Sequence, residues 1–121
     1  MTLSKSFEIL MFPTFERELS KIISSYPQFR QDISQLKESL KKNPEQGKHL
    51  GGGIYKIRIE ISGKPAGKRY GARVIIAVFT SDREVLLLKI YDKSDTKDLT
   101  PSELTAIRKM VGEIRKQRKK R

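Results

Sequence analysis

Two kinds of hydrophobic periodicity follow one another along the chain, and they predict its secondary structure. A short apolar-rich segment, residues 6–12, stops at Pro13 and predicts a strand. Apolar side chains then recur at helical spacing in two stretches, 14–23 and 29–40, so we expect two amphipathic helices. Because only a short break separates them, we expect them to form an antiparallel helical hairpin.

The second half of the chain has patterns typical of strands. Residues 54–61 follow three glycines and alternate apolar with charged side chains. Residues 73–80 are apolar almost throughout, as expected of a strand that is covered on both faces. Residues 84–91 follow a tight turn at 81–83, and such a turn favours antiparallel pairing of the strands on either side of it.

A last helix is predicted after Thr100, where Pro101 occupies the first helical position and Glu103 completes a capping box. The order strand, helix, helix, strand, strand, strand, helix indicates an α+β fold. In this fold an N-terminal helical hairpin and a C-terminal helix pack on one face of a small antiparallel sheet. The length predicts a single domain over residues 1–121. Within it, the basic segment 115–121 is expected to fray, because it lacks apolar partners.

The charge of the chain says more about its binding partner than the length does. The 121 residues include 26 Lys and Arg but only 14 Asp and Glu, giving a net charge of +12. Two segments carry the excess: residues 53–80 have a net charge of +5 and residues 108–121 a net charge of +7. A localised basic surface on a small domain favours a polyanionic partner, and nucleic acid is the first such class to consider.

Composition excludes several other classes of protein. The chain has no cysteine and one histidine, His49, which excludes disulfide scaffolds, thiolate zinc sites, cysteine nucleophiles and paired-histidine nucleases. No nucleotide-binding fingerprint is present, so no cofactor is expected. No apolar run reaches the roughly 18 residues of a membrane span, and the N-terminus does not resemble a signal peptide, so we expect a cytoplasmic protein with no membrane partner.

Basic side chains cluster on the predicted strands. Lys56 and Arg58 are two positions apart and project from the same face about 7 Å from each other. Arg73 opens the next strand, beside a loop that contains Lys68 and Arg69, the candidate RNA-binding residues. If the strands pair as a hairpin, these groups form a patch that binds a phosphodiester and stabilises charge developing on it. An ordinary charged sheet face is the alternative, but Arg73 adjoins a run apolar enough to be buried and therefore needs a partner.

The end of the last strand carries a second set of candidates. Tyr91 can stack on a base or take part in proton transfer, or it can simply pack on the sheet, and Lys93 follows it. The acids Asp92, Asp95 and Asp98 lack the glycine and the final glutamate of an EF-hand loop. They precede a helix, whose dipole favours acidic residues. No metal site is therefore predicted.

Three segments, in their order and spacing, make residues 6–112 resemble the RelE/HigB superfamily of bacterial toxins. They are residues 50–59 (LGGGIYKIRI), 67–79 (GKRYGARVIIAVF) and 88–104 (LKIYDKSDTKDLTPSEL). The resemblance implies a metal-independent messenger-RNA endonuclease that acts mainly on the ribosome. In that chemistry the ribose 2′-hydroxyl attacks the adjacent phosphate and leaves a 2′,3′-cyclic phosphate. It also implies a cognate antitoxin as protein partner, with the ribosome and its messenger RNA as the target.

The resemblance also implies catalytic residues. Lys56 and Arg58 match the two basic strand positions of RelE-type members, Arg73 matches their phosphate-holding arginine, and Lys93 matches the lysine after the last strand. Tyr91 lies near a position where some members have an aromatic residue or a histidine.

The general base is left open by these residues. Arg58 stands where RelE itself often has lysine, and arginine does not deprotonate at working pH. The base is then Lys56, acting in its neutral form among basic neighbours, or Glu60.

Two other functions are compatible with the same sequence. The ParE branch of this fold poisons DNA gyrase without cutting RNA. A plain nucleic-acid-binding module would instead use the basic segment from Arg115 as an electrostatic arm. The three basic strand residues favour cleavage over both alternatives.

Overall fold

A computed structural model describes residues 6–65, 67–95 and 98–119, and the side chain of Lys68 lies outside that description. The helices and strands are listed here in chain order: β1 (Glu8–Met11), α1 (Pro13–Ser25), α2 (Phe29–Lys42), β2 (Lys48–His49), β3 (Ile54–Ile59), β4 (Ala72–Phe79), β5 (Glu84–Asp92) and α3 (Pro101–Lys119). A single 3-10 turn, Lys68–Tyr70, lies between β3 and β4. The α+β fold predicted from the sequence is confirmed, and β2 is an addition to it.

The two N-terminal helices form where the apolar stripes predict them. α1 begins at Pro13, whose fixed backbone angle suits a first helical position, and it buries Phe15, Leu19 and Ile22. α2 buries its own stripe beginning at Phe29. None of the helices in the described ranges is long and apolar enough to cross a membrane.

The strands form one five-stranded sheet in the order β1-β5-β4-β3-β2. The pairs from β2 to β5 are antiparallel, as the turns between them predict. The prediction of a purely antiparallel sheet is wrong at one edge, because β1 runs parallel to β5. Turn chemistry determines pairing only between strands that follow one another closely, and two helices and three strands separate β1 from β5 along the chain.

Helices cover both faces of the sheet, not one. α1 and α2 pack on the face that includes Val74, Ile76 and Leu87, whereas Val111 of α3 packs on the opposite face, against residues such as Phe79. Every position of β4 is therefore buried, which agrees with its continuous apolar sequence.

The basic end of α3 is helical as far as Lys119, although the sequence predicts fraying from residue 115. The guanidinium groups of Arg115 and Arg118 each lie 4.5 Å from the centre of the Phe79 ring. Arg118 also pairs with Asp82 at 2.8 Å. Cation–π contacts and ion pairs take the place of the apolar partners that the sequence lacks. Residues 120–121 lie outside the described residues.

Candidate functional site

Three neighbouring strands bring the predicted site residues to one face of the sheet. In the register of β3, β4 and β5, Arg58 lies opposite Arg73, and Arg73 lies opposite Tyr91. Lys56 lies two residues before Arg58 and therefore shares its face. This is the face on which α3 packs, and the residues lie near the beginning of that helix, where Glu103 approaches Lys89 to 3.9 Å.

A bulge in the pairing of β4 with β5 directs Tyr91 to this face. Ile75 lies opposite Lys89 but Ile76 lies opposite Leu87, so β5 contains one extra residue at this point. Leu87, before the irregularity, belongs to the cluster beneath α1 and α2, whereas Tyr91 belongs to the α3 cluster. In an unbroken strand these two residues would share a face. The bulge thus re-aims the side chain that ends beside Arg73.

Asp98, just before α3, joins three of the predicted residues. Its Oδ1 accepts a hydrogen bond from the Tyr91 hydroxyl at 3.4 Å and lies 3.9 Å from Lys56 Nζ. Its Oδ2 lies 3.1 Å from Lys93 Nζ. The carboxylate remains 53% exposed. We call these four residues (Lys56, Tyr91, Lys93 and Asp98) the Asp98 cluster.

Charge and burial set the protonation states within the Asp98 cluster. The hydrogen bond from the Lys93 ammonium holds the pKa of Asp98 below its usual value, and the charge of Lys56 acts in the same direction. Burial raises the pKa of Tyr91 to about 12, and the negative charge of Asp98 adds to that effect. At neutral pH Asp98 is therefore ionised, whereas Tyr91 keeps its proton and acts as a hydrogen-bond donor.

Arg73 and Arg58 flank the Asp98 cluster in different environments. Arg73 is 3% exposed, and its guanidinium donates to the carbonyl of Arg69 at 3.0 Å and to that of Ala72 at 3.3 Å. The prediction that Arg73 is buried and partnered is confirmed, and the partners include backbone. Arg58 is exposed and, with Lys48 and Lys56, lines a groove of about 450 Å³.

The two candidate RNA-binding residues lie outside the Asp98 cluster. Arg69 is exposed, and its guanidinium lies 5.4 Å from the centre of the Tyr70 ring. Lys68 begins the 3-10 turn next to it, and its side chain lies outside the described residues. Within the described ranges, no three His, Asp or Glu side chains are arranged to hold a metal ion.

A family comparison identifies the fold's relatives. A sequence model described as "RelE toxin of RelE / RelB toxin-antitoxin system" matches residues 27–121, about four-fifths of the chain. The chain belongs to the RelE toxin family. The family expected from the three sequence motifs is thus confirmed. No curated protein matches the chain at a significant level of sequence similarity.

Solved structures of RelE-type and ParE-type proteins share the fold. A mutant of the E. coli toxin RelE in the free state has a TM-score of 0.55 at 16% identity, covering 76% of this chain and 88% of that one. The isolated E. coli RelE toxin has a TM-score of 0.53 at 14% identity, covering 87% and 99%. A chromosomal ParDE system from P. aeruginosa has a TM-score of 0.51 at 16% identity, covering 74% and 98%. At these identities the likeness concerns the fold alone.

Sequence reasoning missed the position of Asp98. It grouped Asp98 with Asp92 and Asp95 as acids that precede a helix, but Asp92 pairs with Lys64 at 2.5 Å instead. The signal in the sequence was a carboxylate a few residues after two predicted site residues, the aromatic Tyr91 and the basic Lys93. That signal does not say which strand the carboxylate faces, because the contact with Lys56 joins the segment between β5 and α3 to β3.

Proposed function

We propose that this RelE-family toxin is a ribosome-dependent messenger-RNA endoribonuclease. The proposal rests on one arrangement: Lys56, Arg58, Arg73 and Tyr91 share one face of three adjacent strands, and Lys93 directly follows the last of these strands. A gyrase inhibitor or a simple RNA-binding module needs positive charge but does not need a hydroxyl and two ammonium groups gathered around one carboxylate, as they are around Asp98.

The proposed reaction is a metal-independent transesterification. The ribose 2′-hydroxyl attacks the adjacent phosphate, and the products are a 2′,3′-cyclic phosphate and a new 5′-hydroxyl. Arg58 and Lys56 border an open groove and are suited to hold the phosphodiester. Positive charges fixed by the sheet stabilise the charge that develops on the phosphate oxygens. The ribosome would contribute by aligning the 2′-oxygen for in-line attack.

A cognate antitoxin is proposed as the protein partner. The RelE family is described by its pairing with RelB in a toxin–antitoxin system. A chain with a net charge of +12 is complementary to an acidic antitoxin segment laid against the basic face.

Primer extension on a reporter messenger RNA in a purified translation reaction, with and without ribosomes, tests the function. We expect cuts at codon-phased positions that require the ribosome and leave a 2′,3′-cyclic phosphate. Arg58→Ala is the informative variant because Arg58 is exposed, so its loss leaves the fold stable while cleavage falls by at least about tenfold.

Arg30→Ala is the matched control. Arg30 is also an exposed arginine, and it lies on α2, which packs on the other face of the sheet. Its substitution removes the same charge and should leave cleavage unchanged. Intact transcripts alongside arrested growth would contradict the ribonuclease proposal, and inhibition of supercoiling by purified gyrase would then support the ParE-type activity.

A further inference from the structure

Attack by the 2′-hydroxyl is accelerated by a group that accepts its proton, and the two residues suggested by the sequence are poorly placed. Lys56 is paired with Asp98 in this structure. Glu60 lies one residue beyond β3 and faces the loop that leads to β4, since a Cβ added at Gly67 would lie 3.9 Å from its Oε1. Arg58 does not deprotonate at working pH.

Asp98 has the position that Glu60 lacks. Among the described residues, it is the carboxylate that contacts Lys56, Tyr91 and Lys93 together. These contacts reach the carboxylate from β3 on one side and from β5 on the other, and together they orient it. About half of it still faces solvent, which leaves room for a ribose to approach.

We propose that Asp98 is the general base of the cleavage reaction, an inference that rests on the proposed ribonuclease function. The Asp98 carboxylate takes the proton from the 2′-hydroxyl as the 2′-oxygen–phosphorus bond forms. The bond from phosphorus to the 5′-oxygen breaks, and the Lys93 ammonium gives its proton to the departing oxygen.

The contact between Asp98 and Lys93 then restores the enzyme. After the reaction Asp98 carries a proton and Lys93 has lost one, and the two groups lie 3.1 Å apart. Transfer of that proton from Asp98 to Lys93 regenerates the ion pair without a cofactor. Tyr91 donates its hydrogen bond to Oδ1 throughout and serves as a positioning residue for the carboxylate.

Single-turnover cleavage of messenger RNA on preformed ribosome complexes tests the assignment. Asp98→Asn keeps the shape of the side chain and removes the base, so we expect the rate to fall by about 100-fold or more. Asp98→Glu should recover part of the rate. Asp95→Asn is the matched control, because it removes the same charge from the same loop at an exposed residue outside the cluster.

The pH profile separates a base from a structural residue. Asp98 is ionised throughout pH 6–8.5, so the wild-type rate should be flat there, whereas the Asp98→Asn rate should rise about tenfold per pH unit as hydroxide replaces the base. A wild-type rate that rises across this range would assign the base to a neutral lysine and overturn the proposal.

A modified substrate separates the base from the acid. Replacing the 5′-bridging oxygen by sulfur gives a leaving group that needs no proton. This substrate should restore the rate of Lys93→Ala but not that of Asp98→Asn. Restoration of both, or a wild-type rate for Asp98→Asn in a folded protein, would overturn the proposal. No ribosome-dependent cutting by the wild type would instead overturn the ribonuclease function itself.

Discussion

At the scale of single residues, the site depends on how closely β3 and β4 approach each other at Gly71. A Cβ added there would lie 2.2 Å from the carbonyl oxygen of Ile59. The Gly71 carbonyl also accepts a hydrogen bond from the Lys93 amide at 2.9 Å. Any side chain at this position must therefore push β3 away and shift the backbone that carries Lys93.

We expect Gly71→Ala to destabilise the protein by about 1–3 kcal/mol, because the backbone must move to accommodate the methyl group. Gly112→Ala is the control, since no atom lies within 4 Å of its added Cβ and Gly112 is inside α3. It should stabilise the protein by roughly 0.5–1 kcal/mol. Urea unfolding measures both, and equal effects of the two substitutions would contradict this account of Gly71.

Tyr91 links stability to alkaline pH. Its pKa is about 12 in the folded protein and near 10 in the unfolded chain, so the folded state holds the proton more tightly. The resulting stability is fully present below pH 10 and is lost as the pH rises toward 12. Wild type should therefore lose stability relative to Tyr91→Phe between pH 10 and pH 12, measured by urea unfolding. Parallel losses in the two proteins would show that Tyr91 does not titrate as described.

The sequence predicts the face on which a site residue lies only where the residues follow the simple alternation of one strand. Lys56 and Arg58 share a face because they are two apart on one strand, and the sequence shows this directly. The side on which Tyr91 lies depends on the bulge opposite Ile75 and Ile76, and no turn residue or glycine marks that bulge in the apolar run of β5. Asp98 is placed by a contact across two strands, which is a property of the tertiary structure.

At the scale of secondary-structure elements, the basic half of α3 is attached to the sheet by its arginine side chains. Arg115 donates to the carbonyls of Gly52 and Val78 at 2.8 and 3.3 Å. Arg118 pairs with Asp82 and Glu84, and both arginines lie over Phe79. These contacts hold the end of α3 on the sheet with cationic side chains, at positions where other helices use an apolar stripe.

Arg118→Ala should therefore destabilise the protein by about 1–3 kcal/mol, because it removes charged hydrogen bonds from a group that is only 16% exposed. Lys116→Ala, on the same helix, removes an ion pair whose lysine is 74% exposed and should change stability by less than about 0.5 kcal/mol. Hydrogen exchange of α3 amides should accelerate in the first variant only. Equal exchange in both would mean that the end of α3 docks by other contacts.

Elements were predictable from the sequence where one kind of periodicity governs a whole segment. The apolar stripes predict α1 and α2, and the capping box at Thr100 and Glu103 predicts the start of α3, with reciprocal hydrogen bonds of 3.0 and 3.1 Å. The parallel β1 and the position of α3 on the second face were not predictable from these patterns. Both depend on which elements pack together across long sequence separations, and the periodicity within one segment does not determine its packing partners.

At the scale of the whole molecule, the net charge of +12 opposes folding and favours binding to a polyanion. The basic residues of the sheet face repel one another, and among them Asp98 pairs with Lys56 and Lys93. Repulsion between exposed charges is screened by salt over about 10 Å at 0.1 M ionic strength. Contacts to phosphate also weaken in salt. Binding releases counterions from the nucleic acid, and this release is less favourable when the salt concentration is high.

Salt should therefore change stability and ribosome binding in opposite directions. Raising NaCl from 50 to 300 mM should raise the Tm of the free protein, by about 4 °C for each kcal/mol of repulsion that is screened. If about four cationic side chains contact phosphates, the same change should lower the affinity for ribosomes on the order of a hundredfold. Thermal melts and ribosome co-sedimentation over one salt series measure both effects. A Tm that falls with salt would mean that ion pairs such as those of Arg118 stabilise the protein more than repulsion destabilises it. Sedimentation with ribosomes that does not depend on salt would mean that the ribosome contact uses apolar or protein surfaces instead of the basic sheet face.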